Sequence, residues 1–391
     1  MRILYVQYAN PGAYPPLEHS SRILASAGAE VRFLGIGSLG ADALRFPPHA
    51  NIEVRQWNFC PPGWRQKVHY VQFGLWVVWT ALRWRPDWIY ASDCLACPIV
   101  LALSHLPRWR VLYHEHDSPA EEGRRRRAEA GGQGGGASRF VRFVLWTRRK
   151  VARRAALCVL PNEKRVEDFR RETGTARPVL CVWNCPRREE AQIMPPGRPQ
   201  SEFILFYHGS IVPVRVPVSV VQALASLPEQ VRLRIAGYET IGHWGYVRRL
   251  QEEAKRVGVL ERIEFVGTLP RFELLPLCRK AHVGLSLMPR TSQDPNENAM
   301  TGASNKAFEY LACGAALLVS DLPEWQKTFV QPGYALACDP EDRLSIAGAL
   351  RWFLEHPAET REMGARGRIS VLQEWNYEAQ FRPVADLMAG A

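Results

Sequence analysis

The sequence predicts an α/β protein made of two parallel-sheet domains. Short runs rich in Val, Ile and Leu alternate with longer helical patterns from one end of the chain to the other, as βαβ units require. The series is interrupted once, at residues 186–202 (PRREEAQIMPPGRPQSE), which are polar, proline-rich and without periodicity. A length of 391 residues is enough for two ordinary cores.

In chain order, the first set of strands is expected at residues 3–7, 31–34, 88–91, 111–114, 158–160 and 180–183. The second set is expected at 204–207, 233–236, 263–266, 283–287 and 316–320. The domain reading is therefore 1–188, then 189–370, with 371–391 as a C-terminal helix. That last pattern, WNYEAQFRPVADLM, is amphipathic and is expected to fold back toward the N-terminal domain. Two Rossmann-like domains facing across a cleft, with ligands at the carboxyl ends of the strands, is the arrangement such a series predicts.

Several readings fall away. The apolar run Ile3–Val6 is too short for a signal peptide, so the chain is expected to start at Met1. Nine scattered cysteines point to a reducing compartment, and Cys94 and Cys97 lack the second ligand pair a zinc site needs, so both are expected in the core. Gly35, Gly37 and Gly40 match a dinucleotide fingerprint, but they follow the second strand and lead into FPPHAN rather than a helix. The stretch AEAGGQGGGAS, 128–138, is expected to be a loop, not a phosphate cradle.

The formal charge of +11 is concentrated: residues 124–154 hold eleven Lys/Arg against one acid, Glu129, a net +10. An anionic partner is implied, whether lipid, nucleic acid or a phosphorylated substrate. Within this segment Phe140, Val144, Val151 and Ala155 share one helical stripe, either lying on an anionic membrane or packing on the sheet. The apolar pattern 70–82 is too short to span a bilayer and reads as a core helix or a second shallow contact.

The richest stretch is 301–321, TGASNKAFEYLACGAALLVSD. It reads as a glycine turn, a helix start, a carboxylate at Glu309, a stop at Gly314 and a buried strand. Unpaired amides at the helix start suit a phosphate, and Glu309 suits a sugar hydroxyl, so the pair suggests a sugar nucleotide.

Taken in order, VLYHEHD, ARRAALCVLPNE, HGSIVPVR, LRIAGYE, IEFVGTLPRFELLPLCRKAHVGLSLMP and NKAFEYLACGAALLVSD resemble the retaining family-4 glycosyltransferases of the GT-B fold. The resemblance covers essentially the whole chain and implies a metal-independent, hexosyltransferase-type enzyme with no cofactor beyond its nucleotide-sugar co-substrate. It implies a donor site at Gly209, Ser210, Arg215, Gly302, Asn305, Lys306 and Glu309, with Ser210 standing where the family often has an arginine. Thr301 occupies the place of the family's first paired glutamate, and Glu297 is a candidate replacement. On the acceptor side it implies Gly12, His116 and Asp117, with catalytic roles for His116, Asp117 and Arg215; His114 is expected to be structural. The acceptor class suggested is a lipid-linked or polysaccharide precursor, at the inner face of a membrane in the cytoplasm. A nucleic-acid-binding protein, an epimerase and a phosphorylase are the alternatives, although no nucleic-acid module is present.

Overall fold

The computed structural model describes residues 1–38, 44–119, 139–195, 197–198, 201–240, 242–292 and 294–390. Arg124–Arg127, the glycine-rich stretch 128–138 and Gly40 lie outside them. The chain forms two compact units. One comprises Met1–Asn184, Asp294–Ala303 and Gln380–Ala391; the other comprises Cys185–Gln293 and Ser304–Ala379.

The first unit holds β1 (Arg2–Val6), β2 (Glu30–Ile36), β3 (Ile52–Trp57), β4 (Trp88–Ser92), β5 (Arg110–His114), β6 (Leu157–Leu160) and β7 (Val179–Cys181). All pair in parallel, in the order β3-β2-β1-β4-β5-β6-β7. Its central strands are covered on both faces, which is why they read as unbroken apolar runs. Tyr5 illustrates the packing, with its ring 4.4 Å from that of Phe33 and 4.1 Å from that of Tyr90.

The second unit holds β8 (Phe203–Ser210), β9 (Val231–Tyr238), β10 (Ile263–Gly267), β11 (Val283–Ser286), β12 (Ala316–Ser320) and β13 (Ala335–Cys338). They too are parallel, in the order β10-β9-β8-β11-β12-β13. Each sheet reverses its strand order beside its first strand, between β1 and β4 and between β8 and β11. Crevices at the carboxyl ends of strands form at such reversals.

Two edge strands had no expectation from the sequence. In β3 charged Glu53 and Arg55 face outward, and β13 is a four-residue strand whose one large side chain is Leu336 and which has no β-branched residue.

Two helices of the first unit matter later. Trp64–Trp84 buries Phe73, Val77 and Ala81 in the core and leaves its other face exposed. Arg139–Arg154 corrects the membrane reading of its apolar stripe: Val144, Val151 and the following Ala155 are buried, so that stripe is the core face, and Phe140 alone of the four is exposed. Arg148 turns inward as well, its Nε donating to Glu115 Oε2 at 2.6 Å and its Nη2 to Glu115 Oε1 at 2.7 Å. Among the described residues no helix is long and apolar enough to cross a membrane. The C-terminal helix Tyr377–Ala389 buries Phe381, Val384 and Met388. Cys94 and Cys97 are both buried.

Candidate functional site

In the second unit the predicted donor residues gather at the carboxyl end of β8. Gly209 has φ +110, and a Cβ there would lie 2.7 Å from Lys306 Cε and 3.1 Å from its Nζ. The missing side chain is thus what lets the lysine lie across the strand end. Lys306 opens the helix Lys306–Ala312 and points its ammonium toward the Tyr207 ring, 6.0 Å from the centroid. Arg215, in the turn after β8, places Nη1 2.6 Å from Met288 Sδ. Burial, with the Arg215 guanidinium adding to it, pushes the half-buried Lys306 down to about 7. Ser210 follows Gly209 at the strand end, half-buried.

The helix is fixed from below. Its Tyr310 ring fills the space a side chain at Gly284 would need, 2.1 Å from that position, and the Tyr310 hydroxyl accepts the His208 amide at 3.1 Å. Glu309 is fully buried. Asn305 Nδ2 donates to its Oε1 at 2.7 Å, Arg271 pairs with the same oxygen, and His208 Nε2 lies 3.0 Å from Oε2. Arg271 also grips Glu190 in bidentate fashion, Nε to Oε1 at 2.6 Å and Nη2 to Oε2 at 2.8 Å. Burial raises the Glu309 carboxyl, but Arg271 and His208 outweigh it and hold the group well below the usual carboxylate range. Burial lowers His208, with Glu309 opposing only in part.

The sequence reading directs the Glu309 carboxylate at a ribose hydroxyl; in the structure Oε1 is held by Asn305 and Arg271, while Oε2, near His208, makes no hydrogen bond among the described residues. His208, Arg271 and Glu190 were not anticipated as site residues. His208 sits beside Gly209 in a motif already singled out, but Glu190 is 81 residues from Arg271, and no sequence signal joins them.

In the first unit His116 follows β5, 6% exposed, with Nε2 3.2 Å from Ser92 Oγ and its amide donating to Asp93 Oδ1 at 2.9 Å. Its Nδ1 is buried with no hydrogen-bond partner among the described residues. Burial pushes the imidazole down to about 4, with Asp117 pulling the other way. His114 lies one pleat back, its ring 4.0 Å from that of His116 and its Nδ1 2.5 Å from the Tyr90 hydroxyl, a structural placement. Asp117 is mostly exposed, 3.4 Å from Arg165 Nη1.

Gly12 belongs to the short turn Pro11–Ala13, whose neighbour Tyr14 brings its ring to 5.3 Å from His116. The close approach Gly12 permits is to this chain's own backbone, since a Cβ would meet the Leu44 carbonyl oxygen at 2.4 Å. Gly302 groups with the first unit, apart from the other predicted donor residues. It has φ +75, and a side chain would meet the Trp183 ring at 2.5 Å. Arg165 clamps this segment: Nη1 donates to the His116 carbonyl at 2.5 Å, Nε to that of Ala299 at 3.0 Å and Nη2 to that of Asn296 at 3.0 Å. Asn162 Nδ2 adds a bond to the Thr301 carbonyl at 2.7 Å. Glu297 is buried rather than solvated.

Two family models match the chain, "Glycosyl transferase 4-like domain" over residues 15–185 and "Glycosyl transferase-like" over 217–386. Glycogen synthase of Mycobacterium tuberculosis is 26% identical over 409 residues, covering 96% of this chain and 92% of the relative. Among solved structures, sucrose-phosphate synthase from Thermosynechococcus elongatus superposes with a TM-score of 0.71 at 17% identity, covering 100% of this chain and 98% of that one. Anabaena HepE in complex with UDP and glucose gives 0.72 at 17%, and WaaG, a glycosyltransferase involved in lipopolysaccharide biosynthesis, gives 0.70 at 15%, each covering 100% of both chains. With the two models together matching residues 15–185 and 217–386, the chain belongs to the family-4 glycosyltransferases of the GT-B fold.

Proposed function

We propose that this chain is a retaining glycosyltransferase that moves a sugar from a nucleoside-diphosphate donor to a hydroxyl acceptor without a metal ion. The observation that carries the reading is the pairing of Lys306 with Arg215 around Gly209, two cations held close enough that burial and mutual repulsion depress the lysine. A diphosphate placed there relieves both terms, because its charge neutralises the pair. That HepE is complexed with UDP and with UDP-glucose supports the same donor class.

In this mechanism the acceptor oxygen attacks the anomeric carbon from the face the leaving group departs. The carbon–oxygen bond to the diphosphate breaks, its electron pair stays on the phosphate oxygen, and that oxygen takes the acceptor proton. Arg215 and Lys306 stabilise the charge developing on the diphosphate. Glu309, held by Arg271, keeps Asn305 and the helix start in place. His116 is neutral at pH 7 and offers its unpartnered Nδ1 to a sugar hydroxyl, with exposed Asp117 beside it.

The test is thermal denaturation with UDP, GDP, ADP and dTDP and their common sugars. The matching nucleotide at about a hundred times its dissociation constant adds about 2.7 kcal/mol of stability, with or without EDTA. Arg215→Ala and Lys306→Ala remove the shift. Absence of any shift in the parent protein, or an intact shift in both variants, refutes the assignment.

A further inference from the structure

The helix Trp64–Trp84 carries a second apolar face that the core does not use. Trp64, Val68, Val71, Leu75, Trp79 and Leu82 recur at helical spacing over its 21 residues and are all exposed, Leu75 by 65%. At 1.5 Å per residue this stripe runs roughly 30 Å. A surface of that extent on a folded unit marks an interaction site. It is continuous with the neighbouring helix through Tyr70 and Phe140, whose rings meet edge to face at 5.8 Å. There Phe143 and Trp146 stack outward at 6.1 Å, with Lys150 5.8 Å from the Trp146 ring. The Arg148–Glu115 pair sets this helix so that its aromatics, not its valines, face solvent.

Charge selects the occupant. Neither helix contains an acidic residue, while Arg65, Lys67, Arg83, Arg142 and Lys150 rim the exposed faces. Two copies of this surface face to face would oppose cation to cation, which disfavours self-association. At its C-terminal end the stripe runs into a cavity of about 290 Å³ lined by Arg32, Arg55, Trp79, Thr80, Arg83 and Trp84. Glu53 neutralises part of this charge, holding Arg32 at 2.7 Å and Arg55 at 2.5 Å, and leaves a net positive pocket. The Arg32 guanidinium lies 4.5 Å from the Trp84 ring centroid.

We infer that the Trp64–Trp84 face lies on an anionic phospholipid surface, its aliphatic and tryptophan side chains among the acyl chains and a lipid phosphate in the Arg32/Arg55/Arg83 pocket. This goes beyond the transferase reading and uses none of its residues.

Flotation of the full chain with vesicles tests it. The parent protein floats with phosphatidylcholine containing about 30% phosphatidylglycerol, stays behind with phosphatidylcholine alone, and is released by about 0.5 M salt. Val71→Glu/Leu75→Glu lowers partitioning at least about tenfold, and Arg83→Ala about fivefold. Both sites are exposed, so melting temperature and nucleotide-induced shift stay at parent values; should the double variant melt early, Leu75→Ser replaces it. Equal flotation with neutral vesicles overturns the inference, as does undiminished flotation of the glutamate variant. A lipid-free dimer in light scattering that the glutamate variant dissolves also overturns it, in favour of a second copy. Failure of any nucleotide to bind, with flotation intact, would sink the donor assignment alone.

Discussion

If Lys306 is the anion's partner, nucleotide binding must be accompanied by proton uptake. In the free protein the ammonium sits at about 7 against an ordinary 10.5, because burial and Arg215 disfavour its charge. At about pH 8.5 only roughly 3% of the molecules then carry the proton. A diphosphate that restores the ordinary value brings that to roughly 99%, an uptake of about one proton per nucleotide. The nucleotide's own phosphate, with a second pKa near 6, is silent in this range. Between about pH 7 and 10.5 the affinity should fall about tenfold per unit as pH rises. Calorimetry in two buffers of different ionisation enthalpy reads the proton number directly, and Lys306→Met should abolish it. The stability of the unliganded fold has the opposite pH dependence: the unfolded chain binds the proton up to 10.5 and the folded one only to about 7, so stability rises with pH across that window. An uptake near zero in the parent protein, with affinity flat from about pH 7.5 to 9, would show that no anion reaches this lysine.

Removing Arg271 takes away the guanidinium shared by two buried carboxylates, Glu190 and Glu309, so Arg271→Ala should cost about 3–5 kcal/mol in urea denaturation; a change within about 0.5 kcal/mol would show the shared guanidinium to be peripheral. His116 gives an acid signature. Its folded value of about 4 lies below the ordinary 6.5, so stability is complete above about pH 6.5 and falls as pH drops toward 4, by up to about 3 kcal/mol. His116→Gln should flatten that slope in a pH series of melts, leaving the part due to His114, which burial also depresses. An unchanged slope would place the loss elsewhere.

The sequence disclosed the layers of the fold because parallel strands covered on both faces leave apolar runs, as in RILYV and WIYAS. It concealed β3, whose exposed edge is written in alternating charges, and β13, which has one large side chain. The helix at 64–84 was legible as apolar but not by face, since both of its faces carry large hydrophobics and only the neighbours decide which is buried. At the proposed site, Gly209, Arg215 and Lys306 were named by the resemblance of their motifs to those of the family. The ion network around Glu309 was not, because its members come from separate elements and meet only once the sheet has formed. Gly302 shows both sides: its need for a left-handed turn was readable, while the tryptophan closing over it lies 119 positions back.

The ten residues from Asp294 to Ala303 belong to one unit while the chain on either side of them belongs to the other. Neither half of this enzyme is therefore a continuous stretch of gene. Expressing 185–379 by itself would strand a loop whose hydrogen-bond partners, Arg165 and Asn162, are encoded elsewhere. Halves exchanged between relatives would have to carry this insert with the front portion of the coding sequence, or the grafted loop would arrive without its anchors.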